Sequence, residues 1–493
     1  MMKLIGDGMD KYPAKGHALR IAAAMGTHTG LIVLEATKSE NWPNSDMGRP
    51  FRQDRYFYYL TGCNEPDCYV TYNISDDELT LWLPPINKAR VVWTGRGSTV
   101  EEALQKYDID AAHYIQYKAI RQDGLQVTVP SLEASVAIWQ QNQQPHERLV
   151  YSMNGSVCEQ DYTKEMALKQ AMDACRVIKD EHEIELIRKA SQISGEAHTA
   201  VLRSLHRFRS EADVEAKYMQ VCIANFAKTQ AYDPIAGAGS HASELHYMQN
   251  DASFDDSTQL LVLDAGCEVE CYASDVTRTM PINRLAPGHW PSKEAEEIYD
   301  LVEKVQEACI KQMAPGHSFV DIHRLAQSMI IDGLLELGVL TGKHKEIDEA
   351  GTVVGFFPHG LGHHMGLEVH DVSPLTRPSS DEEARALTLE PSVCRAPCMQ
   401  SSPTLQSGMV VTVEPGIYFN DFLLKNFFLN DPERGRYIDK KVLKRYMHVG
   451  GVRIEDDILL TRNGYQNLTT APKGQKMLEI IRHSAQEKDD KCG

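Results

Sequence analysis

Four short apolar stretches each carry a carboxylate: QLLVLDAG (259–266), CYASDVTRTMPI (271–282), GMVVTVEPGIYF (408–419) and GGVRIEDDILLT (450–461). Successive side chains of a strand alternate between faces. Asp264 therefore shares a face with Leu260 and Val262, Asp275 with Thr277 and Thr279, Glu414 with Val410 and Thr412, and Glu455 with Arg453, Asp457 and Leu459. An ionised carboxylate inside a sheet core is strongly unfavourable unless a cation or hydrogen bonds compensate it. Any one of these acids, taken alone, reads as a solvated side chain, because Asp and Glu are mostly exposed. Together on such strands they predict shared cations. Oxygen-rich ligand sets with one imidazole suit Mn(II), Co(II), Fe(II) or Zn(II).

The imidazole is expected from HGLGHHMGLEVHD (359–371), where Gly360, Gly362 and Gly366 discourage a regular helix. His359 and His363 stand at i, i+4, but a zincin needs Glu directly after the first His, and Gly360 occupies that place. His246 in SELHYMQND and His370 read, each alone, as ordinary loop histidines. Neither GAG (237–239) nor GRG (95–97) has the third glycine of a dinucleotide loop, and no G-x-S-x-G elbow accompanies the strands. DEHEIE (180–185) reads as a solvated, acid-rich helix start.

Positioning such a set requires a sheet backed by helices. From residue 176 the pattern is helical, with Leu186, Ala190, Ile193, Ala197 and Ala200 recurring on one face. Further helix starts are expected at Ser210 with Asp213, near Ser292, and at Ser318 with Asp321. Helices followed by strands in each half predict an α+β domain with helices packed on a largely antiparallel sheet. Both halves finish on carboxylate-bearing strands, the pattern of an internal duplication without a literal repeat. Upstream, GLIVLEA (30–36), CYVTYNI (68–74), ELTLWLPP (78–85) and the helical TVEEALQKYDI (99–109) predict an α/β N-terminal domain. The expected division is 1–170 and 171–493, with a Ser-, Pro- and charge-rich surface insertion at 373–407.

With 51 Lys+Arg against 69 Asp+Glu among 493 residues, the chain carries −18, which excludes a nucleic-acid partner and disfavours anionic membrane surfaces. No apolar run approaches the roughly 20 residues that span a bilayer. The eleven scattered cysteines form no compact framework, and the x3-spaced pairs Cys267/Cys271 and Cys394/Cys398 lack a second pair at zinc-finger spacing. Reduced thiols and an N-terminus without a signal-like apolar core predict a cytoplasmic protein.

LDAGCEVECYASDVTRTMPI, HGLGHHMGLEVHD, TVEPGIYF and VGGVRIEDDILLT, in that order, resemble the pita-bread metallopeptidases of the Xaa-Pro aminopeptidase and prolidase family. The 11-residue separation of Asp264 and Asp275 matches that family's first ligand pair. PFRQDRYFYYLTGCNEPDCY (50–69) and CRVIKDEHEIELIRKA (175–190) extend the likeness over nearly the whole chain apart from 373–407. The resemblance implies a pita-bread catalytic domain, a homodimer and five ligands for two divalent ions, usually manganese: Asp264, Asp275, His363, Glu414 and Glu455. Asp275 and Glu455 would bridge the ions, Asp264 would complete one site, and His363 with Glu414 the other. His246, His359 and His370 would line the substrate site, and Arg453 would orient ligand carboxylates.

The implied reaction is hydrolysis of the bond between an N-terminal residue and a penultimate proline in a peptide. A hydroxide bridging the two ions would attack the carbonyl, with Glu414 as general base and His370 or His246 stabilising the oxyanion. The scissile bond is a tertiary amide with no N–H, so an ordinary peptidase that binds that donor cannot use it. A strict Xaa-Pro dipeptidase is the alternative. Its cation for the prolyl carboxylate, an arginine shortly before the first ligand Glu, is absent over 396–413, whereas the long 419–450 stretch resembles the prolidase-like group. A ligand-less interaction protein of the same fold is the remaining alternative, disfavoured because all five ligand positions are filled.

Overall fold

The computed structural model describes residues 11–115, 119–120, 126–127, 132, 136–137, 139–140, 149–153, 162–254, 258–372 and 404–492. The expected insertion therefore lies outside the described residues except at 404–407. The chain forms two compact units, Met1–Arg176 and Val177–Gly493.

In the first unit, strands Leu31–Glu35, Tyr69–Asn73 and Glu78–Leu83 pair antiparallel, and Ala111–Tyr114 and Val150–Ser152 flank them in parallel. Leu31 through Leu34 are all buried, as a strand covered on both faces requires. The helix Arg55–Thr61 starts where the Asp54 side chain accepts from the Tyr56 and Phe57 amides, and stops at Gly62, whose φ of 62° suits glycine. A capping box between Thr99 and Glu102 opens Val100–Lys106, which ends three residues before the predicted limit because Tyr107 turns extended.

The second unit repeats one element order. Helices Glu181–Ser204 and Glu211–Ala224 precede a sheet of Ile235–Ala238, Gln259–Asp264 and Thr277–Ile282, and helices Lys293–Lys311 and Phe319–Glu336 precede a sheet of Val410–Val413, Asp456–Thr461 and Gly464–Asn467. Every pairing in these sheets is antiparallel. Ser210, Ser292 and Ser318 each cap a helix through an amide three residues on. On the 181–204 helix Leu186, Ala190, Ile193 and Ala197 are buried, but the stripe continues at Val201 and leaves Ala200 half-buried. Among the described residues no helix is long and apolar enough to cross a membrane.

One expectation needs correction. The carboxylate-bearing stretches are not continuous strands: pairing stops at 274–276, at 414–415 and at 454–455. Pro415 cannot donate to a ladder. At the first break the Ser274 carbonyl approaches so closely that a Cβ on Gly266 would lie 1.7 Å from it, which leaves room for no other residue. Asp275, Glu414 and Glu455 all sit in these gaps, and Asp264 is the last residue of its strand. Asp457, predicted on the same face as Glu455, accepts from the Ser191 hydroxyl at 2.9 Å and from the Asp275 amide at 3.3 Å.

Candidate metal and substrate site

The breaks bring the acids together. Tyr232, which the sequence reasoning did not single out, places its hydroxyl 2.5 Å from Asp264 Oδ1 and 2.6 Å from Asp275 Oδ1. A phenol has one proton, so it satisfies one carboxylate and leaves the other oxygen in a close contact that needs positive charge. Asp275 is buried, and burial together with the nearby Asp264 and Glu414 pushes its pKa up to about 6 despite the opposing effect of His363.

Asp275, His363 and Glu455 offer ligand atoms that all lie within 4.8 Å of one another, and all three residues are buried. His363 Nδ1 lies 3.0 Å from the His364 carbonyl oxygen, which can only accept, so Nδ1 carries a hydrogen. In the neutral ring the bare lone pair of Nε2 then faces Asp275 Oδ2 at 3.4 Å and Glu414 Oε1 at 3.3 Å. Such an arrangement requires either a proton or a cation. Burial opposes the imidazolium, but the contacts with Asp275 and Glu414 outweigh it and hold the His363 pKa well above its usual value.

Glu455 is the sharpest case. Its Oε2 accepts from the Thr277 hydroxyl at 2.6 Å, whereas the buried Oε1 has no hydrogen-bond partner. Burial, followed by repulsion from Asp275, Glu414 and Asp264, drives its pKa well above the normal range. Glu414 differs because its side chain is 16% exposed and accepts from the Thr412 hydroxyl at 3.1 Å. Burial would raise its pKa, but His363, His359 and Arg453 bring it down to about 2. An unpartnered buried oxygen, an aimed lone pair and mutually repelling acids fit divalent cations at this position.

A chain of hydrogen bonds leads outward from Asp264. Arg453 Nη2 donates to Asp264 Oδ2 at 2.6 Å and its Nη1 donates to the Tyr418 hydroxyl at 2.9 Å. The Tyr418 hydroxyl lies 2.8 Å from His359 Nε2, and His359 Nδ1 donates to the Gly360 carbonyl at 2.8 Å. Burial lowers the His359 pKa to about 4, with Arg453 adding to the effect and Glu414 opposing it. The ring is thus neutral, and both its nitrogens are engaged. His370 stands edge-on to His363 with ring centroids 4.3 Å apart, and the exposed His246 follows the turn Gly239–Ser243.

Two other residues matter here. Tyr418 links His359 to Arg453, a role that a tyrosine within an apolar strand does not announce. Glu183 was expected in a solvated helix start, but it is buried: its carboxylate accepts from the Asp180 amide and from the Tyr272 hydroxyl at 3.0 Å. The capping box explains the correction, because it turns the N3 glutamate back over the helix end.

Comparison with known proteins agrees with this geometry. Residues 185–462 match metallopeptidase family M24, and residues 17–122 match the aminopeptidase P N-terminal domain. A probable Xaa-Pro aminopeptidase of Aspergillus clavatus is 48% identical over 482 residues, 97% of this chain and 94% of that protein. A probable Xaa-Pro aminopeptidase of Pyrenophora tritici-repentis is 47% identical over 96% of this chain and 72% of its own length. The chain spans about half, 51%, of a third such relative from Pyrenophora teres, at 47% identity. Among solved structures, aminopeptidase PepP of Pseudomonas aeruginosa is similar with a TM-score of 0.73 and 26% identity, covering 97% of this chain and 100% of that one. Aminopeptidase P from E. coli with the inhibitor Pro-Leu shares the fold at a TM-score of 0.73 and 24% identity, over 97% of this chain and all of that one.

Proposed function

Because the chain belongs to metallopeptidase family M24, we propose that it is a metallo-aminopeptidase that hydrolyses the bond between an N-terminal residue and a penultimate proline. The observation that carries this reading is the buried group of Asp275, His363 and Glu455 with an unpartnered Glu455 oxygen. The names of its relatives support the substrate class.

Asp264, Asp275, His363, Glu414 and Glu455 would hold two divalent ions, which supply Lewis acidity and a water acidified enough to act as nucleophile near neutral pH. Glu414, ionised and the most solvent-accessible of these ligands, takes the proton from the attacking water and returns it to the departing prolyl nitrogen, whose secondary amine must be protonated to leave. His370 and His246, on the open side, donate to the oxygen that gains charge at the carbonyl carbon. His359 does not have a free nitrogen for that task; through Tyr418 and Arg453 it fixes the orientation of Asp264.

We assign manganese as the ion and a homodimer as the assembled form on family grounds. The cytoplasm is assigned as the compartment, in keeping with the buried thiols of Cys63, Cys68, Cys222, Cys267 and Cys309. The test is to assay manganese-loaded protein against an Xaa-Pro dipeptide and an Xaa-Pro-Yaa tripeptide side by side. Cleavage of the tripeptide is expected. Turnover of the dipeptide alone would replace the aminopeptidase by a dipeptidase, and cleavage unaffected by exhaustive chelation would remove the metal chemistry.

A further inference from the structure

Several donors of the segment that carries His246 gather on one buried carboxylate, that of Glu211. Glu211 is the first residue of the helix Glu211–Ala224 and is fully buried. Its Oε1 accepts from the Ala238 amide at 2.8 Å and from His241 Nδ1 at 3.0 Å, and its Oε2 accepts from the Tyr247 hydroxyl at 2.8 Å and the Ala252 amide at 2.9 Å. These donors come from the entry, the middle and the exit of one loop. The Glu211 amide in turn donates to the Ala252 carbonyl at 3.0 Å, which closes the loop on the helix end. A first-turn glutamate ordinarily points to water; here it has four donors and no exposure.

The opposite flank of the loop rests on Asn420 and Gly450, just outside the paired strands Gly416–Tyr418 and Gly451–Arg453. Asn420 Nδ2 donates to the Ser243 carbonyl at 3.1 Å. Gly450 packs so closely that a Cβ there would lie 1.9 Å from the Gly239 carbonyl oxygen. His246 itself is exposed and next to Tyr247, whose ring stacks on His241 at 4.2 Å.

We infer that Glu211 is a positioning residue: by gathering Ala238, His241, Tyr247 and Ala252 onto one buried carboxylate, it fixes the loop that presents His246 to the substrate carbonyl. This rests on the substrate-site role of His246 proposed above. Only a carboxylate fits the clasp, since each of its oxygens meets a backbone amide that can only donate, Ala238 at Oε1 and Ala252 at Oε2. An amide of the same shape would accept at one atom only and turn its own N–H groups toward two of the donors.

The test compares Glu211→Gln, His246→Ala and the double variant in tripeptide cleavage, with metal content and thermal unfolding measured alongside. Glu211→Gln is expected to lower kcat by about ten- to a hundredfold, as loss of a group that orients a site residue does, with metal content unchanged. The double variant should be no slower than His246→Ala within about twofold, because two changes acting through one residue are not additive. In metal-free protein, amide exchange across 239–252 should accelerate in Glu211→Gln. Should Glu211→Gln fail to fold, Tyr247→Phe, which removes one donor, is expected to lower kcat severalfold and likewise non-additively with His246→Ala. Wild-type kcat in the glutamine variant, or a double variant slower by the product of both effects, overturns the inference while leaving the His246 role standing. Wild-type activity in His246→Ala overturns both.

Discussion

Glu455 and Asp456 are neighbours in the chain and equally buried, yet the fold treats them in opposite ways. Arg278 donates to Asp456 Oδ1 at 2.7 Å, and Lys473 and Asn467 donate to its Oδ2 at 2.7 and 2.8 Å. Burial would raise the pKa of Asp456, but Arg278 and Lys473 overcome it and bring the value down to about 2. Glu455 has one threonine hydroxyl, an empty oxygen and three acids around it. The fold compensates the acid that it uses as a structural post, and leaves uncompensated the one whose charge must come from outside. Burial does not separate the two; the inventory of donors does.

The comparison breaks most visibly if Asp456 is neutralised. Asp456→Asn leaves Arg278 and Lys473 facing an amide in the core, and should destabilise the protein by about 3–5 kcal/mol, read by denaturant unfolding, with metal stoichiometry of the folded fraction unchanged. Equal stability of variant and wild type would mean that the network is not structural.

The pH response sharpens the contrast. Asp275 moves from an ordinary 3.8 to about 6 on folding, so the native site binds more protons than the unfolded chain over that window and stability falls as pH rises through it, by on the order of 3 kcal/mol. Glu455 and His363, also raised, act in the same sense at higher pH. Glu414, lowered from 4.5 to about 2, acts oppositely and only below 4.5, where its contribution is lost as pH falls. Five histidines, His198, His323, His359, His364 and His370, are held below their usual 6.5 and gain stability as pH rises through the acid range, so the contrast is read above it. Metal-free protein should melt lower at pH 8.5 than at pH 7, and added manganese should raise the melting temperature more at pH 8.5. A metal-free melting temperature that climbs from pH 7 to 8.5 would contradict the raised pKa values of Glu455 and His363.

A smaller effect is expected at the outer end of the hydrogen-bond chain. Tyr418→Phe removes the link between His359 and Arg453 but leaves the Arg453–Asp264 pair, and should weaken manganese affinity by about tenfold, measured by titration of metal-free protein. Unchanged affinity would make Tyr418 a packing residue.

Much of this site was legible in the sequence because its chemistry is local to short motifs. Asp264, Asp275, Glu414 and Glu455 stand out as acids at odds with the apolar strands around them, whereas His363 among its neighbouring histidines and Arg453 were picked out by the family resemblance. Helix starts were legible at Ser210, Ser292 and Ser318 because a cap is written within four residues. What could not be read depends on contacts distant in sequence. Tyr232 reaches Asp264 over 32 positions and Asp275 over 43, and Asp457 meets Ser191 over 266. The strand breaks were hidden for the same reason: alternation continues on paper through Ile454 and Glu455, while the ladder there changes partner in space. Glu211, too, looks in sequence like any acid at a helix start, and only the returning loop gives it four donors.

The central claim is that the uncompensated acids are tolerated because cations join them. The most direct measurement is the metal content of purified protein after manganese loading, beside Glu455→Gln, with unfolding free energy of both proteins measured metal-free. Two ions per wild-type chain, fewer in the variant, and a metal-free variant at least as stable as the metal-free wild type are expected. A wild type that binds no divalent ion, or a metal-free variant clearly less stable than its parent, would contradict it.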